Sequence, residues 1–245
     1  MNLKLICIFL VLSFFTLPPV NAQDKQDISA TELLSLYFDN VYGSDERLIS
    51  GRVYYGPARG SIQGHPYYFD ESWKQGNIET EDKNYDGLQL KYDICLNQII
   101  LRHISTDNAV YQIGLNSGNI LNVKMGNSEF IPLPGTGEST DIPFAELISK
   151  GPVQYLITKE KSLEIREGVG SSDYEYKEYM DQYLFYRGNL LAFRSKNTIY
   201  RLFPEIKRDL KKYARQNNLF FIRRDVYARK KLVDYCNVLL IENNE

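Results

Sequence analysis

The feature that most constrains the fold is a long region, residues 52–203, in which apolar and polar residues alternate over short stretches. In the segment "LQLKYDI" at 88–94, every second residue is apolar. Because successive side chains of a β-strand point to opposite faces, this period of two predicts a strand with one buried face. The region is therefore predicted to form a sheet.

A second alternating stretch follows, so the two stretches are predicted to pair as a hairpin. We expect a two-residue turn at residues 96–97, which places Ile94 opposite Ile99. The same register places Leu90 opposite His103. His103 is therefore expected on the apolar face of the hairpin, as a hydrogen-bonded core histidine.

More strands are predicted on the same grounds. One begins with "KQGNI" at residue 74, and the others cover residues 109–115, 120–125, 153–158, 183–186, 190–193 and 198–203. Their connectors, such as "STDN" and "NSGN", are short and rich in turn-forming residues. Strands joined so closely must be antiparallel, because a parallel pair needs a crossover of about a dozen residues. Two stretches, 132–143 and 166–182, are instead predicted to be long loops.

Helical periodicity flanks the sheet region. Residues 29–41 begin with a serine and a glutamate at capping-box spacing and carry an apolar stripe. A helix with Ile206, Leu210 and Ala214 on one face ends near residues 216–218, and a final helix covers 226–242. The predicted fold class is mainly β: an antiparallel curved sheet or open barrel with one N-terminal and two C-terminal α-helices.

The chain is predicted to divide into three parts. Residues 1–22 have the features of a signal peptide, since Lys4 precedes a short apolar run and Ala22 suits signal peptidase. Residues 23–203 are expected to form the antiparallel β domain with its leading helix, and residues 204–245 a helical segment packed on the sheet. The protein is therefore expected to be exported, to the periplasm, the outer envelope or the medium, after cleavage near Ala22.

Two cysteines, Cys95 and Cys236, lie beyond the predicted signal peptide. They either form one disulfide or remain two thiols, and the sequence leaves both possibilities open. Cys236 shares a helical face with Leu232 and Leu239, which favours a buried thiol.

The residue inventory is poorly suited to most catalytic chemistry. His65 and His103 are the only histidines available as a base for a serine or cysteine nucleophile, and G-x-S-x-G is absent from the sequence. Four closely spaced Cys or His residues for zinc are also missing, so no metal or cofactor is predicted. The remaining enzymatic hypothesis is a carboxylate-dependent hydrolase that uses residues from one crowded stretch. Its candidates are Asp70, Glu71, Asp86 and Asp93.

The segment "GHPYYFDESW" at 64–73 contains the single tryptophan and one of the two histidines. It supplies a candidate aromatic patch made of His65, Tyr67, Tyr68 and Trp73. Amphipathic aromatic side chains suit interfaces and ligand platforms. Aromatic residues are also typical of strands, so the same four can clasp the sheet instead, and this second interpretation is favoured.

Several strings in this part of the chain resemble a family of exported β-rich proteins of Bacteroidetes to which no activity is assigned. They are "VYYGP" at 53–57, "GHPYYFDESWKQGNI" at 64–78 and "LKYDICLNQIIL" at 90–101. They follow the order Y-x-G, G-H-P-[FY]-F, W-x-x-G and Y-D-[IL], and the resemblance covers roughly residues 53–115. It implies a location in the periplasm or outer envelope and no particular reaction.

Positive charge is concentrated in residues 201–231, where eleven Lys or Arg residues face three acidic ones, a net charge of +8. The favoured interpretation is a solvated helix face beside an acidic sheet, because charged helix faces are common, and the alternative is a segment that binds anionic partners. For an exported protein we expect an envelope protein or an anionic surface such as lipid headgroups, and no nucleic acid or membrane-spanning segment. The predicted function is a non-catalytic binding or structural module. The alternatives are a carrier of a lipid or small hydrophobic ligand, and the carboxylate-dependent hydrolase.

Overall fold

A computed structural model describes most of the chain beyond the first fifty residues. The described residues are 48, 51–56, 62–105, 108–135, 143–166, 174–222 and 225–243. The predicted signal peptide and the predicted helix at 29–41 lie outside them.

The described residues are mainly β, as predicted, and form one open, curved sheet of twelve strands. The strands are β1 (Arg52–Val53), β2 (Ile62–Gln63), β3 (Lys74–Thr80), β4 (Asn84–Asp93), β5 (Gln98–Ile104), β6 (Val110–Gly114), β7 (Ile120–Met125), β8 (Ser128–Pro132), β9 (Phe144–Ser149), β10 (Gln154–Ile165), β11 (Tyr174–Tyr186) and β12 (Asn189–Ala192). Their spatial order is β1-β6-β5-β4-β3-β7-β8-β9-β10-β11-β12, and every neighbouring pair on this path is antiparallel. Only β2 is off the path, and it pairs in parallel with the start of β11.

Three α-helices follow the sheet in the described residues, where two C-terminal helices were predicted. They are α1 (Lys196–Leu202), α2 (Lys207–Gln216) and α3 (Tyr227–Glu242), and a short 3-10 helix covers Ser117–Asn119. The helices at 207–216 and 227–242 confirm the predictions for these regions. None of the helices in the described ranges is long and apolar enough to cross a lipid bilayer.

The predicted strand at 198–203 is wrong, because most of this segment belongs to α1. A strand would place Arg201 on the same face as Ile199 and Phe203. In the structure Ile199 and Phe203 are buried one helical turn apart, and Arg201 is exposed. The helix therefore buries Ile199 and Phe203 while it leaves Arg201 in solvent, whereas a strand would have placed Arg201 on the buried face with them.

The predicted register of the β4–β5 hairpin is wrong by two residues. Tyr92, and not Ile94, lies opposite Ile99, and Leu90 lies opposite Leu101. A shift of two keeps every side chain on its predicted face. His103 lies on β5 where that strand pairs with β6. Its side chain is half-buried, and it is not the core histidine that the predicted register implied.

The reason for the shift is a turn built by Asp93. The carboxylate of Asp93 accepts hydrogen bonds from the backbone amides of Cys95 and Leu96, at 2.8 and 2.9 Å. Asn97 then takes a positive φ of 54°. This arrangement makes a turn of four residues, 94–97, in place of the expected two.

The predicted loop at 166–182 is also wrong over much of its length, because β11 begins at Tyr174. β10 and β11 form a long hairpin in which Ile165 pairs with Tyr174. Glu164 accepts hydrogen bonds across the hairpin from Lys177 at 3.1 Å and from the Tyr179 hydroxyl at 2.5 Å. Cross-strand pairs of this kind stabilise a strand whose faces are largely polar.

Two main apolar cores lie in this part of the chain. The first fills one face of the sheet around Tyr92, Phe130 and Phe144, whose rings meet edge to face. The second lies where the three helices pack on the sheet, and α3 is tied to the β9–β10 turn by hydrogen bonds between Asn237 and the backbone of Val153. The helices therefore cover the β9–β12 end of the sheet.

Candidate functional site

The candidate aromatic patch lies on a segment that crosses the end of β4. We call residues 62–73 the strap. The amide of Tyr68 donates to the carbonyl of Tyr92 at 2.8 Å, and the amide of Ile94 donates to the carbonyl of Pro66 at 3.0 Å. These backbone bonds attach the strap to the sheet like a short additional strand.

The two tyrosines of the strap are buried on opposite sides. Tyr68 packs in the first core, and its hydroxyl donates to Glu146 at 2.5 Å. Tyr67 packs on the other face of the sheet with Tyr54 and Ile100, in a small third cluster. Adjacent residues of an extended chain point to opposite faces, so one Tyr-Tyr pair anchors the strap to both.

Trp73 and His65 are half-buried, and neither ring is an open platform. The ammonium of Lys91 lies 4.5 Å from the ring centre of Tyr67 and 4.6 Å from that of Trp73. His65 stacks on Tyr67 with ring centres 5.9 Å apart. The aromatic surface between Tyr67 and Trp73 is therefore occupied by a lysine of the same chain.

A second lysine fixes the backbone of the strap. Lys161 is buried, and its ammonium donates to the carbonyls of His65 and Tyr67 at 2.9 and 2.8 Å. Burial lowers the pKa of Lys161, and burial followed by the charge of Lys161 lowers the pKa of His65. Beside the strap, the Tyr54 hydroxyl donates to the buried carboxylate of Asp93 at 2.6 Å.

Three of the four candidate carboxylates of the hydrolase hypothesis have different partners, and the fourth, Glu71, is adjacent to Asp70 in the chain. Asp93 is buried in the turn described above, whereas the other three are exposed. Asp70 accepts from Ser72 and, at 2.7 Å, from Lys74, and Asp86 accepts from Asn77. Within the described ranges, no cluster of three or more His, Cys, Asp or Glu residues is suited to a metal ion.

Cys95 and Cys236 are both free thiols, so the possibility of a disulfide between them is not realised. Cys236 is buried, as its helical face predicted, and burial raises its pKa to about 12. Such a thiol stays protonated and behaves as a small apolar core residue.

A different region has the properties of a binding site. We call it the cationic groove, a cleft of about 620 Å³ between α1, α2 and residues 218–221. Its charged lining consists of Arg194, Lys196, Lys211 and Arg215, and its other lining residues are neutral. Lys211 and Arg215 are four residues apart on α2, so they lie on the same helical face.

The wall of the groove is set by the end of α2. Asn218 takes a positive φ of 50°, and the amide of Leu219 donates to the carbonyl of Ala214 at 2.9 Å. This turn brings the chain back over the groove, where Lys196 donates to the carbonyl of Leu219 at 2.6 Å. The ammonium of Lys196 also lies 5.6 Å from the ring centre of Phe221.

The four cations of the groove have no carboxylate partner among the residues that the structure describes. Four positive side chains that share one cleft repel each other and attract anions. Guanidinium and ammonium groups donate strong hydrogen bonds to phosphate and carboxylate oxygens. The groove is therefore suited to an anionic group.

The basic segment predicted from the sequence contains only two of the four cations that line the groove. The basic segment 201–231 supplies Lys211 and Arg215, but Arg194 and Lys196 come from before it. Other cations of the segment have local partners. Arg229 is buried and donates to backbone carbonyls, whereas Lys230 forms an ion pair with Asp234 at 2.7 Å.

Comparisons with known proteins add no identification. A scan against protein-family models returns no match, and no curated protein or solved structure shows significant similarity to the chain. The resemblance to exported proteins of Bacteroidetes therefore stays a prediction from the sequence motifs.

Proposed function

We propose that this chain is an exported, non-catalytic binding module of the periplasm, envelope or secreted fraction, and that the cationic groove binds an anionic group. The observation that carries the proposal is the convergence of four cations on one cleft without a carboxylate among its lining residues. Two of these cations lie on α2, and two lie at the start of α1.

The chemistry of the groove favours a phosphate or carboxylate group as the ligand. Each hydrogen bond between a charged donor and an acceptor contributes about 1.5–3 kcal/mol. Lys196 is partly committed to the Leu219 carbonyl, which leaves Arg194, Lys211 and Arg215 as the donors best able to turn towards a ligand. These three groups extend from two elements and can approach an anion from two sides.

The non-catalytic role is supported by the local partners of the candidate catalytic residues. Asp93 accepts from Tyr54 and from two amides of its own turn. Asp70 interacts with Ser72 and Lys74 of the strap and of β3. Neither carboxylate lines the cationic groove.

The carrier alternative receives less support from the packing. A hydrophobic carrier needs an apolar cavity large enough for its ligand. The face of the sheet that would enclose such a cavity is filled by buried side chains, among them Ile78, Leu90, Tyr92, Met125, Phe130 and Phe144. The packing of this face therefore favours an anionic ligand over a hydrophobic one.

Titration with inositol hexakisphosphate, a soluble polyanion, tests the proposal. We expect the double variant Lys211→Glu/Arg215→Glu to bind at least about tenfold more weakly, because two charge reversals remove several kcal/mol of favourable interaction. The matched control is Arg208→Glu/Lys212→Glu, which makes the same charge change, also four residues apart, on exposed residues of the same helix outside the groove lining.

The control should lose less affinity, because its two side chains do not line the groove and act on the ligand only through charge that salt partly screens. Equal losses in the two double variants would show general electrostatic attraction without a defined groove. Failure of the unmodified protein to bind the polyanion would overturn the proposed function.

A further inference from the structure

The link between α2 and α3 presents three large apolar side chains to solvent. Phe220, Ile222 and Tyr227 are 67%, 68% and 66% exposed. Large apolar side chains that lie this close together and remain exposed mark an interaction surface more often than isolated ones do.

The neighbouring residues hold these side chains outward. Leu219 is buried and Phe221 is half-buried in the helical core, so the residues that alternate with them point away from it. The buried guanidinium of Arg229 donates to the carbonyls of Ile222 and Asp225, at 2.9 and 2.6 Å. The backbone is thus held by the buried Leu219 before Ile222 and by the hydrogen bonds of Arg229 at and after it, which keeps the side chain of Ile222 in solvent.

The apolar tips adjoin the cationic groove. Phe220 lines the groove, and the ammonium of Lys196 lies 6.0 Å from its ring centre. Tyr227 has a cation of its own, because Lys231 lies 4.6 Å from the centre of its ring. Exposed apolar side chains therefore stand next to cations that have no carboxylate partner among the described residues.

This combination fits the surface of an anionic bilayer. Cations are attracted to lipid phosphates, and aromatic and aliphatic tips enter the boundary between headgroups and acyl chains. Tyrosine is enriched at that boundary because its ring is apolar and its hydroxyl is polar. A purely electrostatic partner would satisfy the cations but would leave Phe220 and Ile222 exposed to water.

We propose that the cationic groove and the exposed side chains of Phe220, Ile222 and Tyr227 form a docking face for membranes that contain anionic lipids, a proposal that rests on the proposed function of the groove. Phe220 and Ile222 insert into the headgroup region, and Arg194, Lys211 and Arg215 contact lipid phosphates. The protein then lies on the membrane surface, with its helical end towards the lipid.

Co-sedimentation with vesicles tests this docking face. The vesicles are made of phosphatidylcholine alone or of phosphatidylcholine mixed with phosphatidylglycerol. We expect binding only to the mixed vesicles, and Phe220→Ser/Ile222→Ser should weaken it at least about tenfold because two apolar side chains no longer leave water. The same variant should bind inositol hexakisphosphate as the unmodified protein does.

Two further variants make the result specific. Lys211→Glu/Arg215→Glu should lose both vesicle and polyanion binding. Leu163→Ser/Ile165→Ser removes two exposed apolar side chains from β10, of which Ile165 is 65% exposed, and should lose neither. A variant that fails to fold would be recognised by loss of the cooperative thermal transition, and the milder Ile222→Ala change then replaces it.

The outcomes separate the two proposals. If the protein binds the soluble polyanion but not the mixed vesicles, the docking face is refuted and the anion site stands. If it binds neither, both fail. Undiminished vesicle binding by Phe220→Ser/Ile222→Ser would refute insertion. Binding to polyglutamate that requires Phe220 and Ile222, without binding to vesicles, would point to an acidic protein as the partner and overturn the membrane proposal.

Discussion

The strap and the cationic groove both combine lysines with aromatic rings, yet they differ in what those lysines can still do. In the strap, Lys91 lies between two rings and Lys161 donates to two backbone carbonyls. In the groove, Lys211 and Arg215 are exposed and have no carboxylate partner within the described ranges. Similar residue types therefore stabilise the fold in one region and are available for a ligand in the other.

The difference follows from burial. A buried ammonium must satisfy its hydrogen bonds inside the protein, because leaving it unpaired costs several kcal/mol. An exposed ammonium is hydrated and can exchange water for a ligand. The distinctive composition of the strap thus reflects its structural role, whereas the groove consists of common surface residues brought together by the fold.

The largest expected effect in the strap is that of Lys161→Met. This change keeps the apolar stem but leaves two buried carbonyls without a donor, so we expect the free energy of unfolding to fall by about 2–3 kcal/mol. Urea denaturation measures the loss. Lys177→Met, which removes an exposed lysine paired with Glu164, is the control and should change the urea midpoint very little, because exposed ion pairs contribute little to stability. Equal losses of stability in the two variants would contradict the idea that the buried lysine stabilises the fold more than the exposed one.

Trp73→Ala should have the next largest effect. The ring is half-buried against Tyr67 and holds Lys91, so its loss should lower the free energy of unfolding by about 1–2 kcal/mol. Polyanion affinity should not change, because Trp73 does not line the groove. If a folded Trp73→Ala protein bound the polyanion more weakly, the aromatic patch would replace the groove as the candidate binding site.

The groove variant should behave in the opposite way. Lys211→Glu/Arg215→Glu keeps a pair of like charges four residues apart on α2, but it replaces the repulsion of these two positions by Arg194 and Lys196 with attraction. We therefore expect this variant to be as stable as the unmodified protein, or slightly more stable, although it loses the ligand. A marked drop in its urea midpoint would show that these two residues support the fold after all.

The smallest expected effect concerns His65. Its pKa in the folded protein lies below the ordinary 6.5, because burial and the charge of Lys161 disfavour the imidazolium, while Glu71 and Asp70 offset part of the shift. The folded state then binds fewer protons than the unfolded state, so stability falls as the pH drops below 6.5 and levels off below the lowered pKa.

The variant His65→Gln removes this contribution and retains a polar side chain. Between about pH 8 and about pH 5, its free energy of unfolding should fall less steeply than that of the unmodified protein. Amide exchange at Tyr68 reports whether the strap loosens first. Parallel pH profiles of the two proteins would contradict the assigned environment of His65.

The sequence predicts the sheet well where alternation is strong and turns are short. Leu90 and Tyr92 lie on the predicted buried face of β4 even though the register of the hairpin differs. The predicted register was wrong because it assumed a two-residue turn. The side chain of Asp93 instead accepts hydrogen bonds from two backbone amides and builds a turn of four residues. For α1, a six-residue window is too short to separate period two from period 3.6 without knowledge of the packing around Ile199 and Phe203.

The candidate site was harder to predict, for a physical reason. A basic segment can be recognised in sequence, but whether each cation is free depends on tertiary contacts. Arg229 is committed to backbone carbonyls, whereas Arg194 lines the groove from the position just before the N-cap of α1. The role of the strap was easier to anticipate, because a Tyr-Tyr pair in an extended segment suits anchoring to both faces of a sheet.

The single tryptophan offers the most direct test of the difference between the two regions. Its indole N–H gives one resolved signal in a proton–nitrogen correlation spectrum, which can be followed during titration with inositol hexakisphosphate. We expect the amide signals of Lys196, Lys211 and Arg215 to shift in a saturable way while the Trp73 indole signal stays in place. If the indole signal moved in a saturable way while the groove amides stayed unchanged, the anion would bind at the strap. That result would contradict both the binding role of the groove and the structural role of the strap.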